Sequence, residues 1–340
     1  MIEINGENGG GQVLRTALTL SAVENKAFRM ENIRGSRSNP GLKNQHLECV
    51  KAVQRLSNAE VEGAELGSDS LVFKPQELRN ESFTSNIGTA GSITLLFDTV
   101  IPIGTRFSGS FRLTGKGGTD VKWSPPIDYL KQIKLPLLEK FGLKASVDLE
   151  KTGYYPSGNG EANLTVESSE FEPIELKERG ELERFEVYSK ASKDLESQNV
   201  ADRQADEAER ILKNSHMSKP VEKNVSYRKT SSTGSTLVVK AVYENSVAGF
   251  DVLGEKGKRS EEVANEAVRG FKKFHSSDAA VDEHMADQLM LYLGLFGGEI
   301  KVRSMTSHLK SSIDILEEFD RSFQVEKGEN LLIAVEGKRI

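Results

Sequence analysis

An order of elements that recurs three times narrows the folds open to this chain of 340 residues more than anything else in it. In the first copy the turn Gly9-Gly10-Gly11 opens an apolar helix over 12–23, followed by a strand over 28–33, a loop, a helix over 45–56 and strands near 59–62 and 70–74. The second copy opens at Gly88-Thr89-Ala90-Gly91, with a helix over 92–100, a strand over 111–114, a helix over 127–141 and strands over 144–149 and 161–166. The third has a helix over 285–296, a strand over 299–302, a helix over 311–319 and strands over 322–326 and 330–335. Phe28-Arg29 and Phe111-Arg112 begin matching strands 83 positions apart. Helices with apolar residues at three-to-four spacing, set over strands with alternating apolar positions, make two-layer units that each have one face to bury. The expectation is an α/β (α+β) fold whose large domain packs three such units around a shared core.

Between the second and third copies lies a more charged stretch of about 95 residues with a different pattern. It predicts a small inserted α/β domain over 181–275, with strands over 182–189, 224–229 and 235–243 and helices over 202–213 and 261–274. The acids of 202–209 read as a solvated helix face. The flanking segments, 1–180 and 276–340, form the expected catalytic domain.

Composition removes several classes. Apolar runs over 93–103 and 289–296 fall short of the ~20 residues a membrane span needs. Met1 leads straight into Ile2-Glu3-Ile4 with no basic stretch before an apolar run, so a cytoplasmic protein without a membrane partner is expected. The one cysteine, Cys49, lies among apolar residues on a helix and reads as a buried thiol. A net charge of -6 argues against gripping long nucleic acid through the overall field, so any RNA contact must be local. Five histidines and one cysteine give no zinc-ligand spacing.

The repeats put three loops in equivalent positions: a basic one over 34–43, a Gly- and Pro-rich one over 116–126, and one over 304–308 that ends in His308. A lone loop histidine is more often structural than catalytic, but Arg34, Arg37 and Lys43 converging on it would suit attack on a phosphate better than metal ligation. Gly9-Gly10-Gly11-Gln12 offers free N–H groups at a helix start, which suit a phosphate, and a plain tight turn accounts for it equally well. Arg15, one turn on, reads either as a phosphate contact or as a surface cation. Asp287 and Gln288, following His284, are either helix caps or groups that read a base edge.

Taken in order, these pieces resemble the RNA 3′-terminal phosphate cyclases along almost the whole chain. The matching runs are Gly-Gly-Gly-Gln-Val-Leu-Arg-Thr-Ala-Leu from Gly9, Glu-Asn-Ile-Arg from Glu31, Pro-Gly-Leu-Lys-Asn-Gln-His-Leu from Pro40, Gly-Thr-Ala-Gly-Ser from Gly88, Ser-Pro-Pro from Ser124, Gly-Tyr-Tyr-Pro from Gly153, Ala-Asp-Gln-Leu from Ala286 and Ser-His-Leu around His308. The resemblance implies an ATP-dependent enzyme of the ligase class. In it His308 carries AMP from ATP to an RNA 3′-phosphate end, and the neighbouring 2′-hydroxyl then closes a 2′,3′-cyclic phosphate, releasing AMP and pyrophosphate.

It also implies that Arg34, Arg37, Gln45 and His46 surround the substrate phosphate, with Arg15, Gly10 and Gly11 on the nucleotide phosphates. Pro125, His284, Asp287, Gln288 and Asp98 match the adenine and ribose pocket, where Asp98 stands at a position that is often Gln. A divalent cation, Mg²⁺ or Mn²⁺, is implied as cofactor beside ATP, and a homodimer is an allowed assembly. The family glutamate that binds the metal just before Gly-Gly-Gly-Gln is Asn8 here, in a shorter loop. Glu7 is the nearest substitute, and the amide of Asn8 would hold the cation more weakly. The competing readings are a non-catalytic cyclase-like protein of ribosome assembly and an enolpyruvyl transferase, which needs about twice as many α/β units.

Overall fold

A computed structural model describes residues 1–337, so the last three positions of the expected segment 276–340 lie outside the described residues. The repeats are real and each is one strand longer than the sequence suggests. Repeat one consists of β1 (Ile2–Asn5), α1 (Gly11–Glu24), β2 (Phe28–Glu31), α2 (Asn44–Ser57), β3 (Glu60–Glu62) and β4 (Leu71–Lys74). Repeat two has β5 (Phe83–Asn86), α3 (Ile93–Gly104), β6 (Ser110–Gly117), α4 (Ile127–Tyr129), a π-helical turn (Leu130–Lys134), α5 (Leu135–Glu139), β7 (Ala145–Lys151) and β8 (Gly160–Glu167). The third repeat opens at β9 (Ile174–Leu176) and is then interrupted.

The interruption is β10 (Leu182–Ser192), α6 (Val200–Lys213), β11 (Val221–Arg228), β12 (Ser235–Tyr243), β13 (Val247–Leu253) and α7 (Ser260–His275). Repeat three resumes with α8 (Glu283–Phe296), β14 (Gly298–Val302), α9 (Ser307–Glu318), β15 (Phe323–Lys327) and β16 (Leu331–Val335). The extra segment therefore sits inside the third repeat, after its opening strand, and not between repeats. Opening strands of three or four residues carry too few side chains for a period-two signal.

The sheets run β1-β2-β4-β3, β5-β6-β8-β7 and β9-β14-β16-β15. In each, the first two strands are parallel and the others antiparallel. A parallel pair needs a crossover, which α1, α3 and α8 supply. Their apolar faces share one core that draws Leu18, Phe97 and Leu293 from the three repeats. Cys49 is fully buried there, and burial pushes its thiol up to about 11. No helix among the described residues is long and apolar enough to cross a membrane.

The segment over 182–275 has its own sheet, β11-β10-β12-β13, and a second core beneath α6 and α7. Val238, Val242 and Val247 on its other face join the main core. Lys190, buried on β10, lies 3.1 Å from Asp120 and 2.8 Å from Asp128 and so ties this sheet to repeat two. Gly249 on β13 is a point of close approach between the two bodies: a Cβ there would lie 2.3 Å from Ile133 Cδ1.

Two helices differ from expectation in ways that bear on the site. The helix expected over 127–141 changes to π geometry at Leu130–Lys134 and ends at Glu139, because Pro136 has no N–H to donate back into the preceding turn. The helix expected over 311–319 begins four residues earlier. Thr306 caps it, its hydroxyl accepting from the Leu309 N–H at 2.9 Å, so His308 lies in the first turn of α9 and not in a loop.

Candidate active site

The corner at Gly10 and Gly11 draws in side chains of two other segments and of α1 itself. Gly10 caps α1 without a side chain, leaving the first N–H groups of the helix unclaimed by a cap. A Cβ on Gly10 would lie 3.1 Å from an Arg37 guanidinium nitrogen. A Cβ on Gly11 would lie 2.2 Å from His46 Nε2 and 3.1 Å from Arg15 Nη1. Only a residue without a side chain lets these groups come so close.

The basic loop is held by its own backbone. Arg34, at φ +56°, donates to the carbonyls of Asn39 at 2.9 Å and Gly41 at 2.8 Å, and Lys43 Nζ donates to Asn39 Oδ1 at 2.5 Å. The Lys43 N–H donates to His46 Nδ1 at 3.2 Å, so the ring proton sits on Nε2, facing Gly11. Burial, reinforced by the charges of Arg15, Arg34 and Lys43, pushes His46 down to about 3. It is a neutral N–H donor at physiological pH. Burial also pulls Arg15 below the ordinary arginine value, partly offset by Cys49 and Asp98. Among the described residues, Arg15, Arg34, Arg37 and Lys43 have no carboxylate within 4.0 Å. Four cations with no carboxylate in contact among the described residues make a site for an anion.

His308 is linked to this corner through helix packing. α9 packs against α1 and β1. Gln12 donates to the Ser312 hydroxyl, which in turn donates to the His308 carbonyl at 3.1 Å. The His308 ring is exposed. On its other side the Thr306 hydroxyl donates to Asp287 Oδ1 at 3.2 Å, joining the start of α9 to α8. Burial raises Asp287 to about 6, opposed by the Thr306 hydrogen bond and by nearby His308 and His284.

The expected base pocket is assembled in part. Asp282, two residues before the exposed His284, accepts from the N–H groups of His284 at 3.0 Å, Met285 at 2.9 Å and Gly249 at 3.3 Å, which fixes the start of α8 against the inserted sheet. Gln288 Nε2 donates to the His284 carbonyl at 3.2 Å, while its Oε1 is buried and has no partner, an acceptor suited to a ligand N–H. Pro125 is half-buried, its carbonyl accepting from Thr94 Oγ1 at 2.7 Å.

Two expected residues carry other duties. Asp98 Oδ1 accepts from the buried Lys134 at 2.8 Å. Gln45 accepts from the Ser92 N–H at 2.9 Å, tying the basic segment to the Gly88–Ser92 turn.

Sequence reading passed over Thr306, Lys134 and Asp251. A Thr one residue before the matched Ser-His-Leu run is a cap signal that could have found Thr306. Nothing in the sequence singles out Lys134, which the π turn directs inward. Asp251 lies on β13, where burial raises it to about 6 against the pull of His284.

The metal expectation fares differently. Glu7 and Asn8 are both exposed, and no group of three His, Cys, Asp or Glu among the described residues could hold a cation. One carboxylate and one amide do not fit a divalent ion held by protein alone.

Comparison with known proteins gives a family model, RNA 3′-terminal phosphate cyclase, that matches residues 6–325. A protein of that name from Halobacterium salinarum is 39% identical over 334 residues, covering 95% of this chain and 96% of its own. Another from Saccharolobus solfataricus is 43% identical over 325 residues, covering 94% of each chain. A third, from Sulfurisphaera tokodaii, is 42% identical over 322 residues, again covering 94% of each. Among solved structures, the enolpyruvyl transferase NikO from Streptomyces tendae aligns at TM-score 0.28 and 10% identity, over 98% of this chain and 65% of that one, too weak a likeness to argue from.

Proposed function

The chain belongs to the RNA 3′-terminal phosphate cyclase family, and on that premise we propose that it uses ATP to close the 3′-terminal phosphate of an RNA into a 2′,3′-cyclic phosphate through His308. A neutral imidazole nitrogen of His308 bonds to the α-phosphorus of ATP as the bond to pyrophosphate breaks. An oxygen of the RNA 3′-phosphate then bonds to the same phosphorus, the P–N bond breaks, and the imidazole is regenerated. The ribose 2′-hydroxyl attacks the 3′-phosphorus, AMP leaves, and the hydroxyl proton passes to water. Splitting one hard substitution into steps through a phosphoramidate lowers each barrier.

The observation that carries this reading is the set of four cations without carboxylate partners, grouped at the helix start that α9 packs against. Arg15 and the N–H groups at Gly10 and Gly11 hold the nucleotide phosphates, while Arg34, Arg37 and the amide of Gln45 hold the RNA phosphate. His46 adds a neutral N–H donor from Nε2. The ring of His284 stacks on the base against Pro125, and Gln288 Oε1 and Asp287 accept from base and ribose. These cations supply the charge compensation that phosphoryl transfer requires of the protein. Residues 1–180 and 276–340 are assigned to the catalytic body of a cytoplasmic enzyme, and 181–275 to an inserted domain.

The test is incubation with ATP labelled at the α-phosphate. Wild type should retain acid-labile, covalent label that His308→Ala lacks, and it should convert a 3′-phosphate RNA to the cyclic form. Absence of label on the wild type, or label that persists in His308→Ala, refutes the assignment.

A further inference from the structure

Trp123 is the single tryptophan of the chain, and it is 95% exposed. An indole offers a large apolar surface that proteins ordinarily bury or use at an interface. Its backbone stands at φ +62°, a left-handed conformation unusual for a bulky residue. The loop around it is well tied. Ser124 Oγ donates to the Val121 carbonyl at 3.0 Å, Lys122 pairs with Glu255 of the inserted segment at 2.9 Å, and the Thr119 N–H donates to the Gly153 carbonyl at 2.9 Å. Surroundings that hold a residue in a strained, exposed pose are a mark of function.

The loop is continuous with the candidate site. Two residues on, Pro125 borders the expected base pocket. The Gly118 N–H donates to the Gly91 carbonyl at 2.7 Å, and the Ile93 N–H donates to the Gly118 carbonyl at 2.8 Å, which fastens the loop to the Gly88–Ser92 turn. That turn is in turn held by Gln45, next to His46. An unbroken rim thus runs from the cationic corner to the indole. Tyr155, 75% exposed, rises from the adjoining loop, where Asp120 and Tyr154 form a β-bridge.

We infer that Trp123 is a stacking platform for a base near the 3′ end of the RNA substrate, with Tyr155 beside it on the same rim. The inference rests on the functional reading above and extends it. A strand whose terminal phosphate lies among Arg34, Arg37 and His46 runs its last bases along this rim. Stacking is tolerant of sequence because every base has a π-face. It also supplies affinity that a protein of net charge -6 does not gain from its overall field.

Because Trp123 is the only tryptophan, fluorescence of the full-length protein excited at the red edge, where its seven tyrosines do not absorb, reports this side chain alone. Titration with an unlabelled RNA oligonucleotide ending in a 3′-phosphate should quench the emission to saturation, in step with retention of the same 5′-radiolabelled RNA on filters. Trp123→Ala should weaken retention by about 5- to 150-fold and Trp123→Phe by much less, with unchanged thermal midpoints. RNA retained without quenching, or retained equally by Trp123→Ala, overturns the proposal while leaving the cyclase reading intact. A wild type that neither retains RNA nor forms cyclic phosphate overturns the cyclase reading and this inference with it.

Discussion

Replacing Arg15 with methionine should move stability and activity in opposite directions. The guanidinium is half-buried, close to Gly11 and His46, and burial alone pulls it below the ordinary arginine value. No carboxylate among the described residues lies within 4.0 Å of it, and Asp98, whose charge acts on it, is bound by Lys134. A desolvated charge without a partner is a cost to the empty protein, and exchange for an apolar side chain of similar length is neutral or stabilising. Because Arg15 keeps some contact with water, the gain falls at the low end, about 1 kcal/mol, or roughly 1–3 °C in Tm for a chain of this size. The opposite holds once phosphates are present. Losing one charge-assisted hydrogen bond to a phosphate costs about 1.5–3 kcal/mol, so adenylylation should slow roughly 10- to 150-fold. Differential scanning calorimetry and single-turnover labelling measure the two effects on one preparation. A variant that melts well below the wild type, or labels at the wild-type rate, shows that Arg15 is a structural cation and that the anion-site reasoning is wrong.

Gly11→Ala places a methyl 2.2 Å from His46 Nε2 and 2.7 Å from its Cδ2. The ring cannot retreat without giving up the Lys43 N–H, so the loss of about 1–3 kcal/mol for a stranded donor should exceed the helix-propensity gain of about 1 kcal/mol, and urea denaturation should show a net loss. Asp287 is raised from an ordinary carboxylate value to about 6, so its contribution to stability is full below the unfolded value and is lost as pH rises through about 6. Asp287→Asn should therefore gain stability over the wild type between pH 4 and pH 7, while a difference in Tm that is constant across that range contradicts the buried placement.

The repeat order and the shared core were legible in the residues, because helix and strand periodicities each span many side chains. The cationic corner was legible too, since Arg34, Arg37, Lys43 and His46 lie within one short stretch. The short opening strands β5 and β9 were not, and so the insertion was placed between repeats and not inside the third. His308 was assigned to a loop because the helix was started at Ser311 and the Thr306 cap, which begins it four residues earlier, was not read.

Chemistry that sits in one local run of residues was therefore determined by the sequence itself: the glycine turn, the basic loop and the histidine with its neighbours. Partnership across the chain was decided only by the fold. Packing brings Lys134 against Asp98 Oδ1, and the Ser92 N–H takes the oxygen of Gln45 and leaves its amide nitrogen as the donor. Linear order records which groups are present, whereas the charge and hydrogen-bonding capacity left to each depend on neighbours that only three-dimensional packing supplies.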